Sequence, residues 1–300
     1  MMKKLFNKWS LISSIFVFIL VFNYLFSIEF KITPNYKLRK KPSTSPAPQS
    51  QSNQVVQQVI SSEVRLPIKW ADLGKQMVEN GTIDKDKFTQ ALGTLPDAEK
   101  KLLEGTDNGE IVMNMANSRV ILDLLWAFGL ANKNPVLEQG DIAQDPKVTP
   151  NLASTGGWGI AKGNPMDHYT AHAMVALTAD QQKMVEDMAK GIFRPCCNNS
   201  TYFPDCNHGM AMLGLLELLA ANNISKEDAY KIALDVNSIW FPQTYQDLAV
   251  YFAENGTSWD KIDAKTVLGP EYSSASGYKQ TRGLIKSLPQ PQKGGGGCGI

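Results

Sequence analysis

The sequence predicts an all-α fold for its main body, and three observations point there. Apolar residues recur at helical spacing from about Leu66 onward. Capping residues stand at the start of several of these runs. No stretch alternates apolar and polar for long at period two. Strands should be few or absent, and there is no internal repeat.

Taken in order, Trp70, Leu73, Met77 and Val78 share one helical face, and Asn80-Gly81 stops that helix. Thr82 or Asp84 caps a short helix through Phe88 and Leu92, and Asp97 to Leu103 forms another after Pro96. Asn117 or Ser118 starts a strong helix through Val120, Leu124 and Phe128 that ends near Gly129. Asp141 to Asn164, rich in Pro and Gly, reads as a long internal loop, and long loops inside a domain often serve function. Trp158 among its glycines is either a lid or part of a simple turn. His168 to Leu177 is expected to be helical. Ala179 or Asp180 starts the next helix, through Met184, Met188 and Ile192. Gly209 to Ala221 reads as an apolar helix. Ser225 caps a helix carrying Tyr230 and Leu234, Trp240-Phe241-Pro242 breaks it, and Tyr245 to Glu254 follows.

The expected organisation has four parts: a signal anchor over residues 1–30, a disordered tether over 31–65, one helical domain over 66–287 and a flexible tail over 288–300. Trp9 to Ile28 is uncharged and long enough to cross a hydrocarbon core of roughly 30 Å. No small-residue cleavage site follows it, so an uncleaved transmembrane anchor is expected. Basic residues flank it on both sides, three before and five soon after. The positive-inside count favours one orientation, and a short basic N-terminal tail before a long acidic domain favours the other. The second places the body outside the cytoplasm, in a single-pass protein of the cell membrane. Pro, Ser and Gln then dominate to about residue 62, a composition that cannot bury enough apolar surface to order itself.

Charge is uneven along the chain. Residues 1–41 hold eight basic side chains and one acid, which leaves the remaining 259 residues with 22 basic and 28 acidic ones. A body with net charge −6 argues against nucleic-acid binding. The sequence contains no Walker loop, dinucleotide glycine fingerprint, His-Glu-x-x-His or Gly-x-Ser-x-Gly, so those reaction classes have no support. Asp84-x-Asp86 and Asp107-Asn108-Gly109-Glu110 lack calcium-loop spacing and read as caps and turns.

The strongest signal is a cluster. All three histidines (His168, His172, His208) and three of the four cysteines (Cys196, Cys197, Cys206) fall within residues 168–208. Pro195 ends one helix, Asp205 or Asn207 caps the next, and Cys206 and His208 then sit at a helix N-terminus beside Arg194. The positive end of the helix and the guanidinium both favour a thiolate. His168 and His172, four apart, share a face if their segment is helical. Three readings stand for the cysteines. Thiolates with imidazoles form a ligand set for Zn or Cu, and Met210 and Met212 are soft neighbours or simply core fillers. A disulfide from Cys206 to Cys196 or Cys197 would close a loop of about ten residues and stabilise by roughly 2–3 kcal/mol. Thiol–disulfide exchange, with the adjacent cysteine as resolving partner, is the third. Cys298 rides on the glycine arm that follows Lys293; with an r.m.s. span of roughly 16–19 Å, that arm could bring a fourth thiol to the loop.

Pro195-Cys196-Cys197 followed by Asp205-Cys206, between two helices, resembles the cysteine cluster of uncharacterised bacterial envelope proteins with a Pro-Cys-Tyr-Cys-Gly-Cys motif. The stretch covers about 15 residues, has one cysteine fewer and no intervening Tyr, and adds Cys-x-His. The resemblance implies thiol chemistry in a bacterial envelope. The expected function is a membrane-tethered extracytoplasmic protein that binds Zn or Cu through Cys196, Cys197, Cys206 and His208, with His168, His172 and Cys298 as further candidate ligands. Its role would be metal acquisition, handover or sensing with a metal-donor or acceptor protein, rather than catalysis. A thiol–disulfide oxidoreductase and a disulfide-stapled helical scaffold are the alternatives.

Overall fold

Capping side chains start most of the helices, and one nearly apolar helix forms their common centre. A computed structural model describes residues 63–106, 109–145, 147, 149–152 and 159–288. The chain first forms strand β1 (Glu63–Leu66), which pairs antiparallel with β2 (Ile111–Asn114), Glu63 opposite Asn114 and Leu66 opposite Ile111. Then come α1 (Leu73–Glu79), α2 (Lys85–Leu92), α3 (Asp97–Glu104), α4 (Ser118–Ala131), α5 (Pro135–Gln139), α6 (Ala179–Gly191), α7 (Asn207–Ala221), α8 (Lys226–Trp240) and α9 (Pro242–Glu254). The short α10 (Ala264–Val267) and α11 (Pro270–Ser273) and the longer α12 (Ala275–Leu284) finish the described chain.

The caps act as their chemistry requires. The Asp84 carboxylate accepts the Asp86 and Lys87 N–H groups, and Ser225 accepts that of Asp228. Thr178 and Gln181 form a reciprocal capping box at the start of α6. Helix α7 is buried along most of its length, and α4, α6 and α8 pack on it. Gly129 of α4 meets Gly214 of α7. A Cβ on Gly129 would lie 2.3 Å from the Met210 carbonyl oxygen, and one on Gly214 would lie 2.6 Å from that of Leu125. Two glycines thus let two backbones touch, which fixes α7 against α4.

The structure corrects the sequence reading in several places. Helix α4 ends at Ala131, close to the expected end near Gly129, but the glycine itself serves interhelical contact rather than termination. The ribbon β1–β2 was unforeseen, because a four-residue strand whose partner lies more than 40 residues away leaves almost no periodic signal. It also overlaps the last three residues of the expected 31–65 tether. His168 to Leu177 is not a helix. A 3-10 turn spans Pro165–His168, and the chain then runs irregularly to the Thr178 cap. The expected membrane anchor is not supported either. Among the described residues no helix is long and apolar enough to cross a membrane, and the 9–28 segment lies outside them. The membrane partnership, the single-pass localisation and the tethered, extracytoplasmic function that rested on that anchor fall with it. The tether to residue 62, Trp158 and the glycine tail with Cys298 also lie outside the described residues.

Candidate metal centre

The cysteines sit on the connection between α6 and α7. Two contacts close this connection onto the body. Phe193 bridges Ser200, and the Thr201 N–H donates to the Ile192 carbonyl at 2.8 Å. At its far side the Ala275 N–H donates to the Cys197 carbonyl at 2.8 Å, and the Ser276 N–H to Asn198 Oδ1 at 2.9 Å. A Pro/Asn/Ser-rich stretch with no helical pattern is thereby held at both ends.

Inside it lies Arg194, only 1% exposed. Its guanidinium ties the loop together: Nε donates to Cys206 Sγ at 3.0 Å, Nη1 to the Asn199 carbonyl at 2.9 Å, and Nη2 to the Phe203 carbonyl at 3.1 Å and to Asp205 Oδ1 at 2.7 Å. Asn199 Nδ2 occupies the other Asp205 oxygen at 2.7 Å. A buried arginine needs its charge paired and its fork filled, and here both conditions are met. The space for it exists because residue 209 is glycine. A Cβ there would lie 2.5 Å from Arg194 Cζ.

Cys206, not Asp205 or Asn207, is the N-cap of α7, and its sulfur accepts the Gly209 N–H at 3.4 Å. Cys196 Sγ stands 3.7 Å from Cys206 Sγ. The Cys206 thiol is held well below its usual range. Hydrogen bonds from Cys196 and Cys197 do most of this, helped by His208 and Arg194, against the opposing effect of burial. Cys196 is pushed up in the same exchange, chiefly because it donates to Cys197 and Cys206 and also because it is buried. Hydrogen bonding to Cys196 lowers Cys197, but Cys206 and burial outweigh this and raise it. The three sulfurs thus share hydrogen bonds in which ionisation is favoured at Cys206 and disfavoured at Cys196 and Cys197. Burial works against the charge of Arg194, and the Cys206, Cys197 and Cys196 sulfurs overcome this and hold it protonated.

Two sets of ligating atoms lie within 4.8 Å of one another: Cys196 with Cys206 and His208, and Cys197 with Asp205 and Cys206. This Cys/His/Asp cluster is capable of holding a metal ion. The sets are not equal. Cys206 belongs to both; the second set adds Asp205, whose two oxygens are already engaged by Arg194 and Asn199, where the first adds His208. His208 is steadied from one side by Phe241, with ring centroids 4.4 Å apart, and by the edge of Trp240 at 5.6 Å.

Of the seven candidate ligands, the structure brings together Cys196, Cys197, Cys206 and His208. His168 and His172 pair with each other, Nδ1 to Nε2 at 3.0 Å, and belong to neither ligand set. Cys196, Cys197 and Cys206 are free. Among the described residues no disulfide is formed, which corrects the disulfide-stapled scaffold. Sequence reasoning missed Asn199 and Gly209. Asn199 shows nothing by itself; Gly209 carried a readable signal, a glycine in the first turn of a helix that begins beside an arginine-bearing loop. No family model, curated protein or solved structure matches the chain.

Proposed function

We propose that this protein reversibly binds a thiophilic transition ion, Zn(II) or Cu(I), through Cys196, Cys206 and His208. The observation that carries the reading is the approach of Cys196 Sγ and Cys206 Sγ to 3.7 Å with the His208 ring beside them. With metal–sulfur distances of about 2.3 Å, two thiolates on one tetrahedral ion stand about 3.8 Å apart, so the sulfurs need hardly move.

Charge supports Zn(II) over Cu(I). Arg194 and Asp205 neutralise each other at 2.7 Å, so the pair adds no net charge to the site. Two thiolates then present a charge of −2, which a divalent ion cancels and a monovalent ion does not. Buried charge is costly unless compensated. Cys197 is close enough to Cys206 to supply a fourth ligand after a side-chain rotation. The cysteines are half-buried rather than sealed, so an ion reaches them without unfolding the body. Metal affinity should fall with acidity, because binding displaces the thiol proton of Cys196.

The test is metal content of the full chain purified under reducing conditions. About one Zn per chain is expected, and Cys206→Ser should abolish it. Copper in place of zinc would keep the site and overturn the charge argument. An unloaded protein that takes up neither ion at micromolar concentration would overturn the reading itself.

A further inference from the structure

We infer that His168 and His172 form a second metal site, separate from the thiols, which takes a divalent first-row ion with tetragonal preference, Cu2+ or Ni2+. The inference does not rest on the thiol centre.

The first argument is the tautomer. His168 Nε2 lies 3.3 Å from the Lys162 carbonyl oxygen, which can only accept, so Nε2 carries the hydrogen. In the neutral ring Nδ1 is then a bare lone pair, and it faces His172 Nε2 at 3.0 Å. A backbone carbonyl that fixes the far ring nitrogen is the usual outer support of a metal-bound histidine. His172 meets the lone pair with Nε2–H; moving that hydrogen to its own Nδ1 frees a second lone pair on the facing nitrogen. Burial, and then repulsion by His168, hold the pKa of His172 below its usual value, which favours the neutral, ligating form of that ring.

The second argument is the effort the backbone makes. Thr170, between the two histidines, has φ +49°. Left-handed backbone is a genuine outlier for a β-branched residue and costs on the order of 1–3 kcal/mol. Both flanks are bolted to the end of α4. The Thr170 and His172 N–H groups donate to the Leu130 and Ala131 carbonyls at 2.9 Å each, and the Lys133 N–H donates to the His172 carbonyl at 2.8 Å. The Asn132 side chain then accepts the Met174 and Val175 N–H groups. The strained residue turns the chain so that the rings stack, centroids 5.3 Å apart.

The third argument is the bite. An ion roughly 2.0–2.1 Å from both nitrogens, 3.0 Å apart, would subtend an angle of roughly 90–97°. That suits cis positions of a tetragonal ion and falls short of the tetrahedral angle of about 109°, which selects Cu2+ or Ni2+ over Zn2+. Helix α7 also separates the two centres. Asn132 reaches Glu217, ten residues along α7 from Asn207, a rise of about 15 Å.

The experiment uses the full-length chain with Cys196, Cys197, Cys206 and Cys298 changed to Ser, titrated with CuCl2 and followed by calorimetry and electron paramagnetic resonance. One Cu2+ per chain with two nitrogen ligands is expected. His172→Ala should weaken it at least tenfold, and His208→Ala should leave it unchanged. The half-buried His172 holds its place through backbone bonds that the substitution keeps. If the serine variant does not fold, the same titration is run on the wild-type chain preloaded with Zn2+ at the thiols, reading Cu2+-induced broadening of the His168 and His172 imidazole NMR signals. The absence of Cu2+ binding, or binding indifferent to His172→Ala, overturns the inference, as does equal broadening at His208 in the preloaded chain.

Discussion

Two loops flank helix α6, and each holds ligating side chains by a different device. The loop before it, around 162–178, is held from outside: carbonyls and an asparagine at the end of α4 grip its backbone, and its histidines meet across a strained threonine. The loop after it, around 192–206, is held from inside: Arg194 gathers two carbonyls, a carboxylate and a thiolate around one guanidinium. The first arrangement fixes geometry with little charge, since its anchors are peptide groups. The second fixes geometry and charge together, so it should tolerate substitution far less. Backbone anchoring suits an imidazole pair; a buried cation suits sulfur that must ionise.

Removing the internal anchor should give the largest effect. Arg194→Leu leaves Asp205 and the Cys206 thiolate without their cation and strands two carbonyls. Truncating one partner of a buried ion pair costs about 3–5 kcal/mol. Urea unfolding should show a loss of that size, with no zinc retained. A loss under 1 kcal/mol would mean that the loop is held by its ends alone. Gly209→Ala asks the same question from the helix side. Its Cβ would lie 2.5 Å from Arg194 Cζ, so the guanidinium must shift. Overpacking of this kind costs about 1–3 kcal/mol, and zinc affinity should drop at least tenfold as Cys206 loses its donor. Neither variant should alter Cu2+ binding at His168 and His172.

The same contrast explains what could be read in the sequence. Among the legible helices, α2, α6 and α8 carry caps and apolar periodicity within a single segment, and α4 carries the periodicity without a side-chain cap; local physics decides them. The thiol centre was legible in outline because Pro195, Cys206 and the apolar run after Gly209 place the sulfurs at a helix start. Its internal anchor was only half legible. Arg194 could be named as a nearby cation, but the Asn199 and Phe203 carbonyls that it binds have no side-chain signature. The histidine loop was misread for the opposite reason. His168 and His172 have helical spacing, and what overrules it is contact with the end of α4, about 40 residues earlier. The ribbon β1–β2 was lost in the same way: Val64 and Leu66 alternate too briefly to register, and their partners are distant in sequence.

A pH series sharpens the comparison through α7, which serves both loops. Burial raises the pKa of Asp123 on α4 and of Glu217 on α7 to about 8 each, and in Glu217 hydrogen bonding to Asn132 opposes this only in part. Their ordinary values are 3.8 and 4.5. The folded state keeps these protons where the unfolded state has lost them, so stability is full below about pH 4. It falls as pH rises and levels off above about pH 8. His172, with its lowered pKa, acts oppositely, adding stability as pH rises through its range. Glu217→Gln keeps an acceptor for Asn132 and removes an ionisation, so its melting temperature should decline less between pH 5 and pH 8. An unchanged slope in both Glu217→Gln and Asp123→Asn would show that neither carboxyl is protonated in the native state.

The smallest expected effect concerns the helix between the loops. Thr178 caps α6 where the histidine loop ends, and Ile192 closes α6 where the thiol loop begins. Thr178 Oγ1 accepts the Gln181 N–H, and Gln181 Oε1 accepts that of Thr178. Thr178→Ala removes half of that box and should cost about 1 kcal/mol. Fraying stays within the first turn, because α6 is buried further along at Val185, Met188 and Ala189 and cannot loosen there without opening the core. The histidine loop should therefore feel the change and the thiol loop should not. Amide hydrogen exchange should quicken at residues 178–182, while the alkylation rate of Cys206 stays at its wild-type value. If Cys206 becomes more reactive in Thr178→Ala, α6 moves as one rigid rod, and the two loops are mechanically joined rather than independently anchored.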